Sequence, residues 1–251
     1  MKALVRPLVG RLRRLFVGDP VWRVRARIAR DYLRGRGLEV GALHNPLPVP
    51  RRAAVAYVDR MSKPDLLRHY PDLDAARLVN VDIIDDGETL GTVADGSQDF
   101  VIANHFLEHA QDPIGTLGQF FRVLRAGGVL YLALPDKRFT FDAPRAVTPL
   151  AHLWDDHRHG PAGSRRGHYE DFVAAVHGLT DPAEVRGMAE HYMATDYSIH
   201  FHVWTQAEMI ELLMAVRGRF GFDFELVRAH AHEVIFVLRK HAAPAALRLV
   251  A

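Results

Sequence analysis

Glu39-Val40-Gly41 and Asp59 are the first residues of this chain whose types and spacing suit chemistry. The stretch from Leu38 to Gly41 is apolar around one carboxylate and ends in glycine, and Asn45-Pro46 then turns the chain out of extended structure. Asp59 closes the next short apolar run, Ala53 to Val58, about 20 residues further on, where a nucleotide-binding βαβ unit places the acid that takes ribose hydroxyls. An ordinary parallel strand followed by a turn is the other reading of the same residues.

The second concentration of reactive side chains lies between Asp136 and His202. Lys137-Arg138-Phe139-Thr140-Phe141-Asp142 joins two cations to two aromatics, a set suited to an anionic or sugar-like acceptor. Histidines then stand at positions 152, 157, 159, 168, 177, 191, 200 and 202. In extended chain His157 and His159 would share one face, as would His200 and His202, which is what metal ligands or a pair of bases require. No metal is assigned; those four are the ligands to expect if one is bound. The alternative is an acceptor pocket lined by histidines and acids, with His159, His200 and His202 joining Lys137, Arg138 and Phe139 as acceptor contacts. The chain has no cysteine, which excludes disulfides, thiolate metal sites and cysteine nucleophiles.

The elements that must position these residues follow from the apolar pattern. Short apolar runs at Leu38 to Gly41, Val55 to Val58, Leu78 to Asp82, Phe100 to Ala103 and Val129 to Leu134 alternate with helical segments. That alternation implies βαβ units around a parallel sheet buried on both faces. Ser62-Lys63-Pro64-Asp65 opens one helix with a cap residue and an early proline, and Pro113 to Leu124 forms another, ended by Arg125-Ala126-Gly127-Gly128. The alternation stops after Leu134 and resumes with a helix from Thr205 to about Val216, then strands at Phe222 to Ala229 and Glu233 to Arg239.

With 251 residues, 49% of them hydrophobic, the chain suits one large soluble domain. No apolar run is long enough for a membrane span, and the N-terminus lacks a signal-peptide core, so the expected location is cytoplasmic. The net charge of +2 hides an asymmetry: residues 1–36 carry Lys2 and ten arginines against Asp19 and Asp31, or +9, leaving −7 for the rest. Leu4, Leu8, Leu12 and Leu15 among those arginines predict an amphipathic helix over 2–17, broken at Gly18-Asp19-Pro20 and followed by a second from Val21 to about Leu33. These helices are expected to close over the cofactor site; peripheral contact with an anionic membrane surface is the other role open to residues 1–36. The expected organisation is a basic helical segment at 1–36, and one domain at 37–251 with an acceptor-binding insertion at about 136–200.

Glu39-Val40-Gly41, Asp59, Val81-Asp82-Ile83, Ser97 to His109 ("SQDFVIANHFLEH") and Leu124 to Leu130 ("LRAGGVL") occur in an order that resembles a class I S-adenosylmethionine-dependent methyltransferase, over roughly residues 36–136 plus the closing strands. "GALHNPLPVP" and "PDKRFTFD" further resemble a bacterial subgroup whose genes often neighbour those of sugar transfer and cell-surface polysaccharides. The resemblance implies an α/β fold with a Rossmann-like, seven-stranded, mostly parallel sheet, N-terminal helices and a helical insertion after strand five. It implies S-adenosylmethionine as cofactor, with Gly41 against its methionine part, Glu39 on the amino group, Asp59 on the ribose hydroxyls, Asp82 and Ile83 at adenine, and Asn104 near the methionine carboxylate or the methyl group. The glycine-rich loop of the family is reduced here to Gly41, so His44 or Asn45 is expected to hold the cofactor tail in place of bare backbone.

The subgroup implies O-methylation of a saccharide or other polar acceptor, with N-methylation of an amine or peptide, or a non-catalytic cofactor-binding partner subunit, as the alternatives. No nucleic-acid partner is expected. A hydroxyl acceptor needs a base to take its proton, and it must come from the loops above the carboxyl ends of the strands. His105 and His109 after strand four, Asp136 after strand five and His157 in the insertion are the candidates.

Overall fold

A computed structural model describes residues 20–71 and 74–242 of the chain. The helix expected over 2–17 lies outside the described residues. Seven strands, β1 (Gly35–Val40), β2 (Ala53–Asp59), β3 (Ile83–Ile84), β4 (Gln98–Asn104), β5 (Leu124–Pro135), β6 (Phe222–His230) and β7 (Glu233–Lys240), form one sheet in the order β3-β2-β1-β4-β5-β7-β6. The first five run parallel, and β7 is antiparallel to both β5 and β6. Phe100, Val101, Ile102 and Ala103 of β4 are wholly buried, as a central strand covered on both faces requires.

On one face, α1 (Val21–Tyr32) presents Val24, Ile28 and Ala29 to Phe100, Ile102, Tyr131 and Val237, so this part of the basic leader belongs to the same core as the sheet. α2 (Lys63–His69) starts at Ser62, whose hydroxyl accepts from the Asp65 amide. α3 (Pro113–Val123) starts at Asp112, whose carboxylate accepts from the Gly115 amide. The insertion folds into α4 (Leu150–His159), α5 (Arg165–His177) and α6 (Pro182–Ala194), with a small core of its own built on Tyr169, Phe172, Val173, Ala189, Ile199 and Phe201. α7 (Gln206–Phe220) opens with a complete capping box between Thr205 and Glu208. Among the described residues no helix is long and apolar enough to cross a membrane.

Two local expectations are corrected. The run Leu78 to Asp82 is not a strand; only Ile83 and Ile84 pair with β2. Its hydrogen bonds are divided, Val79 N–H to the Leu43 carbonyl and Asp82 N–H to the Tyr57 carbonyl of β2, so the run braces the loop after β1 and leads into the short β3. Arg125 to Gly128, expected as a turn, belongs to β5: Gln98 pairs with Leu124 and Phe100 with Val129, and Gly127 at φ 75° absorbs the extra residues in a bulge.

Candidate active site

A cleft of about 930 Å³ opens over the carboxyl ends of β1 and β4. Glu39, Gly41, His44, Asn45, Asn104 and His105 line it from the sheet, and Val21, Trp22 and Arg25 of α1 line it from the other side, as the closing role of that helix predicts. Glu39 is 1% exposed and its two carboxylate oxygens accept the Leu47 N–H at 2.9 and 3.1 Å, which folds the loop after β1 back onto the strand. Burial pushes its carboxyl up to about 7, against the partial relief of that N–H and of Arg25. Gly41 sits at φ 64°, and a Cβ there would stand 3.1 Å from the Phe106 ring. A side chain would therefore meet both strain and a neighbour.

The cleft carries buried polar atoms that the chain itself leaves under-bonded. Asn104 Oδ1 and His44 Nδ1 are buried without hydrogen-bond partners, and Asn104 Nδ2, which makes no well-formed hydrogen bond, interacts only with the Glu39 carboxylate. Such groups are costly unless something completes them. An amide offering both donor and acceptor, beside a carboxylate and a bare glycine, fits the amine and carboxylate of an amino-acid-bearing cofactor. Asn45 accepts from Arg77 at 3.2 Å and so holds the loop.

Other residues expected to hold the cofactor lie outside this lining. Asp59 ends β2 beside β1, and burial pushes its carboxyl up, against the N–H groups of Arg60 and Met61. Asp82 is exposed and accepts from the Tyr57 N–H at 2.9 Å, while Ile83 pairs with Val58 in the sheet. The structure does not bring Asp82 into the cleft.

His105 lines the cleft in the left-handed region at φ 51°, and its Nε2 stands 2.8 Å from Glu233 Oε2. Arg25 donates Nε to Glu233 Oε1 at 2.9 Å and Nη2 to Oε2. Burial opposes ionisation of Glu233, but the hydrogen bonds from Arg25 and His105 prevail and hold its carboxyl at about 2. The ionised Glu233 carboxylate accepts the Nε2 proton and leaves Nδ1 as the ring's other nitrogen, an assignment made from this network. The wholly buried Glu108 lies 3.7 Å from Nδ1.

The other three proposed bases have structural duties. His109 faces the insertion, with Nδ1 2.8 Å from the Ile199 carbonyl and its ring 4.7 Å from that of His200, and burial pushes it down. Asp136 is locked to Arg138 at 2.9 and 2.6 Å; against burial, those bonds hold its carboxyl below the usual range, so it is a poor base. His157 bonds to Asp112 at 2.9 Å and thereby pins α4 to the start of α3. These are corrections for Asp136, held by an arginine two residues on, and for His157, whose partner is 45 positions away in the chain.

The histidine pairs also separate. Residues 157 and 159 lie on a helix, where two residues turn the side chain by more than half a circle, and His159 is exposed beside Asp155. His200 bonds to Asp142 at 2.6 Å and His202 to the Gln111 carbonyl at 3.3 Å, in different clusters. The four expected ligands do not form one site. Of the acceptor residues, Lys137 donates to the Ala143 carbonyl at 2.8 Å, Arg138 is held by Asp136, and Phe139 is 61% exposed beyond β5.

Glu233, Arg25 and His232 were missed as site residues. Rules that look for ligands at strand carboxyl ends pass over β7, because an antiparallel strand brings its start to that edge, with Glu233 paired to Pro135. A lone carboxylate opening a fully buried strand, at Glu233 before Val234 to Leu238, was the available signal.

The methyltransferase-domain family model matches residues 23–218, well over half of the chain. A search of the curated proteins returns no match. Among solved structures, an S-adenosylmethionine-dependent methyltransferase from Methanosarcina mazei is 17% identical with a TM-score of 0.48, covering 85% of this chain and 96% of that one. One from Aquifex aeolicus is 12% identical with a TM-score of 0.45, covering 92% and 96%. The chain therefore belongs to the methyltransferase-domain family, as a class I enzyme whose cofactor is S-adenosylmethionine.

Proposed function

We propose that the protein O-methylates a saccharide or other polar acceptor, with His105 taking the hydroxyl proton. S-adenosylmethionine, when bound, supplies an electrophilic methyl group on a sulfonium. Glu39, Gly41, His44 and Asn104 are the residues that would hold it, and Asp59 remains the proposed contact for its ribose. The observation that carries the reading is the His105–Glu233 pair at the cleft wall, a base oriented by a buried carboxylate.

A polar acceptor suits the surroundings. Arg138 and the exposed rings of Phe139 and Phe141 follow β5, and the amide of Asp136 bonds to the carbonyl of His232, a residue of the cleft wall. The test is transfer of labelled methyl from S-adenosylmethionine to fractionated saccharides, with the methylated atom identified. Label in an ether oxygen supports the proposal; label confined to nitrogen replaces it with N-methylation, and cofactor binding without transfer to any fraction points to a partner subunit.

A further inference from the structure

We propose that His152, Asp156, His168 and His202 form a zinc-class divalent metal site that staples the insertion to the methyltransferase core. The four come from three places: His152 and Asp156 one turn apart on α4, His168 on α5, and His202 on the strap leading into α7. One donor atom from each lies within 4.8 Å of all the others.

The spacing is that of ligands around a small ion. His152 Nε2 is 3.0 Å from His168 Nε2 and 3.2 Å from Asp156 Oδ2, and His168 Nε2 is 3.7 Å from the same oxygen. Tetrahedral ligands at roughly 2.0–2.1 Å from zinc stand about 3.4 Å from one another. Three imidazoles and one carboxylate are also a donor set of zinc type, in a chain without thiolates.

Without an ion the cluster is poorly satisfied. His202 Nδ1 is buried without a hydrogen-bond partner in a wholly inaccessible residue, and the buried Asp156 Oδ2 has only the ring nitrogens of His152 and His168 near it. Two imidazole Nε2 atoms and Asp156 Oδ2 converge, so an N–H shared between the rings must serve two acceptors at once. The outer contacts are those that prepare metal ligands. Gln111 O lies 3.3 Å from His202 Nε2, which fixes the proton there and frees Nδ1, and Ser164 Oγ donates to Asp156 Oδ1 at 2.6 Å. None of the four lines the cofactor cleft, so the role is structural.

The test uses the full chain with any histidine tag removed, stripped with a chelator and titrated with Zn²⁺ against a chromophoric competitor, and with Co²⁺ by visible absorption. The expected result is about one tight zinc per chain, an intense tetrahedral cobalt spectrum, and a melting temperature raised by metal. His168→Gln should abolish tight binding while His159→Gln, at an exposed histidine, keeps it. No tight zinc, a weak octahedral cobalt spectrum, or uptake unchanged in His168→Gln overturns the site; if that variant does not fold, the wild-type cobalt spectrum decides.

Discussion

His105 and Glu233, 128 positions apart in the chain, meet at 2.8 Å because β7 enters the sheet antiparallel to β5 and delivers its first residue to the edge where β4 ends. Arg25 closes the same carboxylate from α1, so one ionised Glu233 ties the N-terminal helix, the loop after β4 and the C-terminal hairpin together.

Acid stability should report that arrangement. Glu233 falls from an ordinary 4.5 to about 2 on folding, so its stabilisation is fully present above about pH 4.5 and is lost as pH falls through about 2. Glu233→Gln should melt well below the wild type at neutral pH, and the gap should close toward pH 2, as pH-resolved thermal denaturation will show. A gap independent of pH would contradict the ion pair.

Glu39 predicts the opposite sign. Its carboxyl is raised from 4.5 to about 7, so the folded state holds a proton that the unfolded chain has released. The cofactor-free protein should lose stability as pH rises from about 4.5 to about 7, and Glu39→Gln should not. If ionised Glu39 holds the cofactor amine, calorimetric affinity for S-adenosylmethionine should rise through about pH 7 in the wild type and stay flat in the variant.

Two glycines beside Phe106 should separate binding from folding. Gly41→Ala places a Cβ 3.1 Å from the ring at a positive φ, and should weaken cofactor binding while costing about 1–2 kcal/mol. Gly87→Ala would drive its Cβ to 2.6 Å from both Phe106 Cζ and Val40 Cγ1 beneath the loop. Its cost should be about 1–3 kcal/mol of stability by overpacking, measured by denaturant titration, and Phe106→Leu should recover part of it.

Trp22 lines the cleft yet is 57% exposed. Trp22→Ala should therefore leave stability within about 0.5 kcal/mol and raise the KM for S-adenosylmethionine, as steady-state kinetics will measure.

The sheet was legible because β4 and β5 are apolar on both faces and Ser62, Pro113 and Thr205 announce their helices locally. Glu39, Gly41 and Asn104 were legible because parallel strands aim their carboxyl ends at one cleft. Glu233 was not, since its position depends on the antiparallel return of β7. The insertion resists reading for another reason: extended geometry puts His157 and His159 on one face, whereas α4 separates them and gathers His152 with Asp156 at helical spacing instead.

Single-turnover methyl transfer from bound S-adenosylmethionine, compared between wild type and His105→Ala on the acceptor identified by labelling, tests the central claim. The His105 base predicts a step about 10²–10⁴ slower in the variant, with cofactor affinity little changed. An unchanged rate would show that no proton passes through His105 and would contradict the account.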